Sequence, residues 1–263
     1  MTMPYITPKQ QQILKLIYKF RFLNRLQIQR FLNHKNHKRI LDWLNDLIEK
    51  EYIEKVPKLN TFEERTKLTV FRIGANGIRF LKPQEDCYPE IIQKLYRDNN
   101  RSDNFINHCI LLADIYLELQ SKNKNIAKIS DTVTINSEFV NPDSPFNFLT
   151  DLNPNLVYEE RGTQRKSNKY CLLEVFEKTL PRYSMRKRLR DYIDFYYSFE
   201  GEDNLDSEFP DIKLVCNTKA DLIYLKRYAR TLFEDDKPED LKIHFSKVDD
   251  IFKYGLTGDV WEE

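Results

Sequence analysis

The stretch FRIGANGIRFL, residues 71–81, marks the end of the first folded module of this 263-residue chain. It contains the end of an alternating strand, a glycine-containing turn and a short apolar helix. The strand begins near Leu68, and an earlier run at residues 52–56 alternates in the same way. A polar, charged segment joins the two runs, so the pattern predicts two strands that form a β-wing, followed by a closing helix.

Helical periodicity precedes the wing. Thr7-Pro8 is a helix start, with a capping hydroxyl and a proline at the first helical position. Asn24 can cap a second helix, and a polar turn at residues 33–36 leads into a third helix with an apolar face. Short helices with tight connections predict a helix-turn-helix core. Together with the wing, residues 1–82 resemble the winged-helix DNA-binding domain.

Charge divides the chain in two. Residues 1–82 carry 17 Lys and Arg against 7 Asp and Glu, a net charge of +10. The other residues carry 25 against 34, a net charge of −9, so the total of +1 conceals a basic module followed by an acidic one. Segregated positive charge is typical of a surface that binds phosphates, because each neutralised phosphate releases condensed counterions. Duplex DNA is therefore the predicted partner of the basic module.

The N-terminal end of the third helix is the predicted reading element, because a winged helix places that end in the major groove. There we expect Asn36 and Arg39 to read base edges, and Lys35 and Lys38 to hold phosphates. An ordinary solvated face is the alternative, and winged helices also bind proteins, so a protein-interaction module remains a second alternative function. The predicted DNA-contacting residues of this domain, wing included, are Lys35, Asn36, His37, Lys38, Arg39, Lys58, Arg65 and Lys67.

The second half of the chain mixes helices and strands. We predict a linker at residues 83–100 and a second domain at residues 101–263, which opens with a long helix at 102–120. The element order predicts an α/β sandwich, so the fold class is α+β or α/β. This order is also the plan of the restriction-endonuclease-like fold, the PD-(D/E)xK superfamily. Strand patterns lie at residues 132–140, 156–158, 171–176, 212–216 and 242–245, and further helices at 182–199 and 219–233.

The resemblance to the PD-(D/E)xK superfamily implies a Mg²⁺ site. That chemistry needs an Asp at one strand start, an acidic residue on the next strand and a nearby Lys. Here the first position is Asn155, after Pro154, and the second is Glu174. Asp151 is the candidate substitute for Asn155. Phe176 stands where the Lys is expected, so Glu177 and Lys178 are the candidate displaced acid and base. The predicted metal ligands are Glu174 and Asp151, and Mg²⁺ is the implied cofactor if the protein is an enzyme.

The chain also resembles the replication-relaxation family of plasmid and mobile-element proteins. The resemblance implies a DNA-binding protein, specific for a sequence or a structure, that acts in replication, mobilisation or its regulation. It also implies a winged helix joined to an endonuclease-like domain. The segments that carry it are FRIGANGIRFL, RSDNFINHCILLADIYLEL (101–119), NPNLVY (153–158), LLEVFEKT (172–179), RKRLRDYIDFYY (186–197), DIKLVCNT (211–218) and GDVWEE (258–263).

Two departures from the family pattern favour a degenerate, non-catalytic domain. Family members usually carry Pro-Asp where this chain has Pro154-Asn155, and an acidic residue where it has Phe176. An asparagine offers a metal a neutral oxygen without charge. The alternative is a Mg²⁺-dependent DNA nickase or relaxase that uses Glu174 with Asp151 or Asn155, with Lys178 as a displaced base. A His-triad relaxase is excluded, because the sequence has no His-hydrophobe-His motif.

A basic cluster on the helix at 182–199 is the remaining candidate DNA contact. Arg186 and Lys187 are expected to hold DNA backbone, or else to pair with acidic neighbours of the same domain. A homodimer and contacts with other plasmid replication or transfer proteins are further expectations. The cysteines are scattered and no apolar run is long enough to span a membrane, so we expect a cytoplasmic protein with no membrane partner.

Overall fold

The computed structural model divides the chain into two units, Met1–Leu117 and Glu118–Glu263. Both α-helices and β-strands are present, as the sequence predicts. The predicted strand at 132–140 lies outside the described residues, as do Lys58, Arg65 and Asp151. The residues that the structure describes are 3–57, 66–122, 126–131, 152–161, 169–201, 209–233, 238, 240–256 and 259–263.

The N-terminal helices begin at side-chain caps, as predicted. Thr7 and Asn24 each form a capping box, in which the cap side chain accepts from the third helical residue and that residue's glutamine accepts from the cap backbone. Asn36 caps the third helix without such a partner. Each cap satisfies backbone N–H groups that the helix leaves unpaired. These helices are α1 (Pro8–Phe20), α2 (Arg25–Phe31) and α3 (His37–Glu49).

A small antiparallel sheet follows α3. The predicted strands at 52–56 and 68–73 form β2 (Ile53–Lys55) and β3 (Val70–Ile73), which pair with Ile53 opposite Ile73. A two-residue strand that the sequence analysis missed, β1 (Leu23–Asn24), pairs with the other side of β3. The order of the strands in the described part of this unit is therefore β1-β3-β2.

The glycines of FRIGANGIRFL let the closing helix approach the end of α3. Gly74 is the N-cap of α4 (Ala75–Leu81), and its N–H donates to the carbonyl oxygen of Tyr52 at 2.9 Å. A Cβ atom added to Gly74 would lie 2.6 Å from the carbonyl oxygen of Glu51. A Cβ atom added to Gly77 would overlap the carbonyl oxygen of Tyr52. Neither position has room for a side chain, so this contact between backbones requires glycine.

The first unit continues beyond residue 82. It includes α5 (Pro89–Leu95), a 3-10 turn (Asp98–Asn100) and α6 (Asp103–Lys122) as far as Leu117. Residues 83–100, predicted as a linker, therefore contain helical structure. Ile106 and Cys109 of α6 pack with the buried Phe22, and the guanidinium of Arg21 pairs with the buried carboxylate of Asp98.

The second unit is built on a mixed sheet. Its first strands pair antiparallel and its last ones parallel, with Glu174 beside Leu214 and Leu173 beside Lys213. The order of the described strands is β4-β5-β6-β7-β8. These strands are β4 (Ile126–Asp131), β5 (Leu156–Glu160), β6 (Lys169–Val175), β7 (Asp211–Cys216) and β8 (Ile243–Lys247).

Two long helices cover one face of this sheet. They are α7 (Arg182–Gly201) and α8 (Lys219–Phe233), both predicted from the sequence, and they pack against each other. Leu189 and Leu225 are fully buried against Leu172, Ile212 and Leu214 of the strands. Because side chains alternate along a strand, Glu174 lies on this same helix-covered face.

The outer edge of β8 is partly covered. Phe245 exchanges two backbone hydrogen bonds of 2.8 Å with Glu262, so the last described residues add one antiparallel bridge beside β8. A short helix that the sequence analysis missed, α9 (Val248–Tyr254), follows β8 directly. The indole N–H of Trp261 donates to the carbonyl oxygen of Leu256 at 2.7 Å and fixes the segment between them.

We predict that Gly77→Ala destabilises the first unit, although alanine is the better helix former by about 1 kcal/mol. The added methyl group overlaps the Tyr52 carbonyl, so the free energy of unfolding should fall by about 2–3 kcal/mol. Urea unfolding followed by circular dichroism measures the change. The control is Arg79→Ala at an exposed site of the same helix, which should shift stability by less than about 0.5 kcal/mol. A more stable Gly77→Ala protein would contradict the close contact.

Candidate nucleic-acid interface and acidic centre

The N-terminal turn of α3 is exposed and rich in basic side chains. Its apolar side is anchored by the buried Ile40, Leu44 and Leu47, which leaves the start of the helix facing solvent. The predicted contact residues Lys35, Asn36, His37, Lys38 and Arg39 are all exposed there. The structure therefore brings this predicted set together on one accessible surface.

Asn36 has a structural task within that turn. Its side-chain oxygen accepts hydrogen bonds from the backbone N–H groups of Lys38, at 3.0 Å, and Arg39, at 3.2 Å. The oxygen expected to read a base is therefore engaged in capping the helix. The cap also holds the first turn of α3 in a fixed conformation, which sets the direction in which Lys38 and Arg39 leave the helix.

An aromatic contact supports the Arg39 side chain. Its guanidinium lies 5.7 Å from the ring centroid of Trp43, one turn further along α3. The imidazole of His34 contacts the same indole edge-on, with ring centroids 5.1 Å apart. A guanidinium on an aromatic face keeps its edge N–H groups available to an acceptor.

Of the predicted wing residues, Lys67 lies in the described part of the chain and is exposed.

The acidic centre of the second unit is occupied by an arginine. Glu174 is only 8% exposed, and its Oε2 accepts from Nη2 of Arg188 at 2.9 Å and from the hydroxyl of Tyr192 at 2.8 Å. The same guanidinium donates to the carbonyl oxygens of Leu152, at 2.7 Å, and Asn153, at 2.9 Å. Arg188 and Tyr192 are one turn apart on α7, so one helix face supplies both partners.

The charge states follow from this arrangement. Burial disfavours the guanidinium charge, but the Glu174 carboxylate beside it raises the pKa of Arg188 above its ordinary value. Burial, together with the charge of Glu174, also raises the pKa of Tyr192 well above its ordinary value. Both groups are therefore hydrogen-bond donors at neutral pH, and Glu174 is held by a cation from the protein itself.

Asn155 and Phe176, the two departures from the family pattern, are both built into the fold. The side-chain oxygen of Asn155 accepts from the backbone N–H of Val175 at 2.8 Å and ties the start of β5 to the end of β6. Phe176 is 1% exposed, and its N–H donates to the Val215 carbonyl. Lys178 is exposed in the turn after β6. None of these contacts places a basic group beside Glu174.

A buried lysine on the neighbouring strand does not replace the missing one. Lys213 of β7 lies beside Leu173, so it projects from the opposite face of the sheet to Glu174. Its ammonium group pairs with Glu160 at 3.0 Å and contacts the rings of Tyr158 and Trp261, with centroids 5.2 and 5.1 Å away. Lys213 is therefore committed to an ion pair on that face.

A divalent metal does not fit the described residues around Glu174. Among the described residues, no three or more His, Cys, Asp or Glu side chains form a group that can hold a metal ion. Carbonyl and carboxylate oxygens do converge near Glu174, but on the guanidinium of Arg188. The sequence analysis did not single out Arg188 as a partner of Glu174. The four-residue spacing of Arg188 and Tyr192 was the available signal for a paired role.

Comparison with known families agrees with the sequence resemblance. The family model described as replication-relaxation matches residues 14–211, from the middle of α1 through the small sheet and the centre around Glu174 to the start of β7. The chain belongs to the replication-relaxation family. Membership in the replication-relaxation family points to a role in the replication or relaxation of a plasmid or mobile element. No curated protein and no solved structure gives a significant match.

None of the helices in the described ranges combines the length and the hydrophobicity that crossing a bilayer requires.

Removing the charge of Arg188 should destabilise the second unit. Arg188→Met keeps the aliphatic stem but leaves Glu174 buried without its cation, so we expect a loss of about 3 kcal/mol in the free energy of unfolding. The Glu174→Gln/Arg188→Met double variant should recover about 1–2 kcal/mol of this loss, because no charge is then left unpaired. Urea unfolding of the variants measures both effects.

The matched control for this pair is Lys187→Met at the adjacent exposed position of α7, with an expected change below about 0.5 kcal/mol. Equal losses in the Lys187→Met and Arg188→Met proteins would show that Arg188 does not compensate the charge of the buried Glu174.

Proposed function

We propose that the chain is a DNA-binding protein of a plasmid or mobile element that acts in replication, mobilisation or their regulation. The observation that carries this proposal is the exposed basic turn at the start of α3, fixed by the Asn36 cap. A preordered helix start with exposed cationic side chains is suited to the phosphates and base edges of a major groove. Duplex DNA is the proposed partner.

The winged-helix assignment of the first unit rests on its element order. Helices α1, α2 and α3 precede β2 and β3, and β1 lies between the first two helices and completes the small sheet. The segment between β2 and β3 is the proposed wing. In this arrangement α3 is the recognition helix, and Lys35, Lys38 and Arg39 lie at the end that meets the groove.

The second unit is proposed to be an endonuclease-like domain without catalytic function. Its mixed sheet, with antiparallel strands followed by parallel ones and helices α7 and α8 on one face, supports the fold assignment. The pairing of Glu174 with Arg188 supports the absence of metal chemistry, because a guanidinium takes up the acidic oxygen that Mg²⁺ would need. The domain then serves as a scaffold for further contacts.

Charge reversal on α3 should weaken duplex binding. With a fluorescein-labelled random-sequence duplex, Lys38→Glu/Arg39→Glu should lower affinity by about tenfold or more at 0.1 M salt. It should also reduce the steepness of the salt dependence by about 0.9 for each phosphate that the variant no longer neutralises. Fluorescence anisotropy titrations across a salt series measure both quantities.

A control with the same change of charge separates position from net charge. Lys9→Glu/Lys82→Glu alters two exposed lysines outside α3 and should retain most of the affinity. Duplex binding that is insensitive to salt, or equally weakened in both double variants, would refute α3 as the recognition helix. Absence of any duplex binding by the unaltered protein would favour a protein-interaction module.

Catalysis is tested with supercoiled plasmid DNA. We expect neither the unaltered protein nor Glu174→Ala to nick it in the presence of Mg²⁺ or Mn²⁺, because Glu174 is held by Arg188. Conversion to the open circle is read on an agarose gel with several candidate plasmids. Nicking by the unaltered protein that Glu174→Ala abolishes would establish the alternative, a metal-dependent nickase.

A further inference from the structure

Three arginines of α7 face two tyrosines of α8 in the second unit. Arg182, Arg186 and Arg190 follow one another at four-residue spacing on α7, about 6 Å apart along the helix axis. Tyr224 and Tyr228 lie one turn apart on α8 and contact these arginines. We call these five residues the arginine–tyrosine row.

Each arginine of the row contacts a tyrosine ring. The guanidinium of Arg182 lies 4.7 Å from the centroid of Tyr224, and that of Arg186 lies 5.6 Å from the centroid of Tyr228. Arg190 donates from Nε and Nη2 to the hydroxyl of Tyr228, at 3.0 and 2.7 Å. The rings hold the planar groups in place, so little side-chain freedom remains to be lost when an anion binds.

The charge of the row is only partly compensated. Asp221 pairs with Arg182 at 3.3 Å, but within the described part of the chain Arg186 and Arg190 have no carboxylate within ion-pair distance. Like charges four residues apart on a helix repel one another. A polyanion laid along α7 relieves this repulsion, and a row of guanidinium edges suits successive phosphates.

Two exposed aromatic rings on α7, one next to Arg182 and one about two turns beyond Arg190, identify the kind of polyanion. Tyr183 is 66% exposed and Tyr197 is 51% exposed. They are about four helical turns apart and lie on nearly the same side of α7. Open rings beside a basic track are the arrangement that stacks unpaired bases, which a duplex does not offer.

We infer that the arginine–tyrosine row, flanked by Tyr183 and Tyr197, binds single-stranded DNA. This site is distinct from the proposed duplex-binding surface on α3. It rests on the proposed function only in taking nucleic acid as the class of ligand. Phosphates contact the guanidinium of Arg186 and the Nη1 side of Arg190, whose Nε and Nη2 donate to Tyr228, and bases stack on the exposed tyrosines. A DNA-opening step, which exposes a single strand beside a bound duplex, is the class of event that would supply this ligand.

The test uses the full chain and a fluorescein-labelled 20-nucleotide oligothymidine, titrated by anisotropy at several salt concentrations. Arg186→Gln/Arg190→Gln should lower its affinity about tenfold. The steepness of the salt dependence should fall by about 1.4, at about 0.7 for each of two single-strand phosphates that are no longer neutralised. Tyr183→Ala should weaken binding at least fivefold because a base loses its stacking partner. Arg227→Gln/Arg230→Gln, two exposed positions on α8, is the matched control and should bind normally.

The two proposals fail separately. Lys38→Glu/Arg39→Glu should lose the duplex and keep the oligothymidine, and Arg186→Gln/Arg190→Gln should do the reverse. No oligothymidine binding by the unaltered protein, or equal loss in the control on α8, overturns the single-strand site and leaves duplex reading untouched. Loss of oligothymidine binding in the α3 variant alone would assign the strand to α3 and also overturn the site.

Unfolding is excluded by a second variant of the row. Arg186→Lys/Arg190→Lys keeps both charges but removes the planar groups that the tyrosine rings hold. It should still lose at least threefold in affinity for the oligothymidine, with an unchanged circular dichroism spectrum. Unchanged affinity in this variant would show that binding depends only on positive charge, and it would contradict the role of the tyrosine rings.

Discussion

A half-buried guanidinium, that of Arg188, joins α7 to the end of β6 and to the chain segment before β5. It reaches the chain before β5, the end of β6 and the next turn of α7 through contacts to Leu152, Asn153, Glu174 and Tyr192. Withdrawing a charge from water is costly, and only complete hydrogen bonding repays it. A shift of α7 by one residue would leave Glu174 unpaired, so this interaction fixes the register of the helix on the sheet.

In the first unit, the helix boundaries and the packing of α4 are instead determined by contacts of the backbone. Capping side chains define where α1, α2 and α3 begin, and the missing side chains of Gly74 and Gly77 let α4 touch the turn after α3. These devices use no charged side chain. None of the described basic residues among residues 1–82 is fully buried, and the half-buried Arg21 is paired with the buried Asp98, so a net charge of +10 is compatible with an apolar core.

The sequence predicted those parts of the fold that depend on neighbouring residues. Caps, helix periodicity and the strand–glycine–helix pattern gave α1 to α4, and α8 was predicted with the limits the structure has. The two-residue β1 carries too few residues for a period to show, and α9 begins after Lys247 without the capping side chain that marks the start of α2. The pairing of Glu174 with Arg188 escaped prediction for another reason. The two residues meet only after a strand and a helix have packed, and alternation along β6 does not specify which helix residue lies opposite.

The family pattern and the observed centre differ in the source of positive charge. A metal-dependent site obtains it from solution, whereas here α7 supplies it as part of the chain. The positive charge beside Glu174 is therefore present whenever the protein is folded and does not depend on a bound metal ion. Through Arg188 and Tyr192, the Glu174 carboxylate holds α7 against β6.

The single bridge beside β8 bears on how copies of this chain can associate. Exposed edge strands are the usual places where two sheets join into one. At Phe245, in the middle of β8, both backbone groups on the outer side are already bonded to Glu262. A second molecule cannot extend the sheet there without first displacing that segment. Self-association through β8 is thus coupled to release of a neighbouring stretch of the same chain.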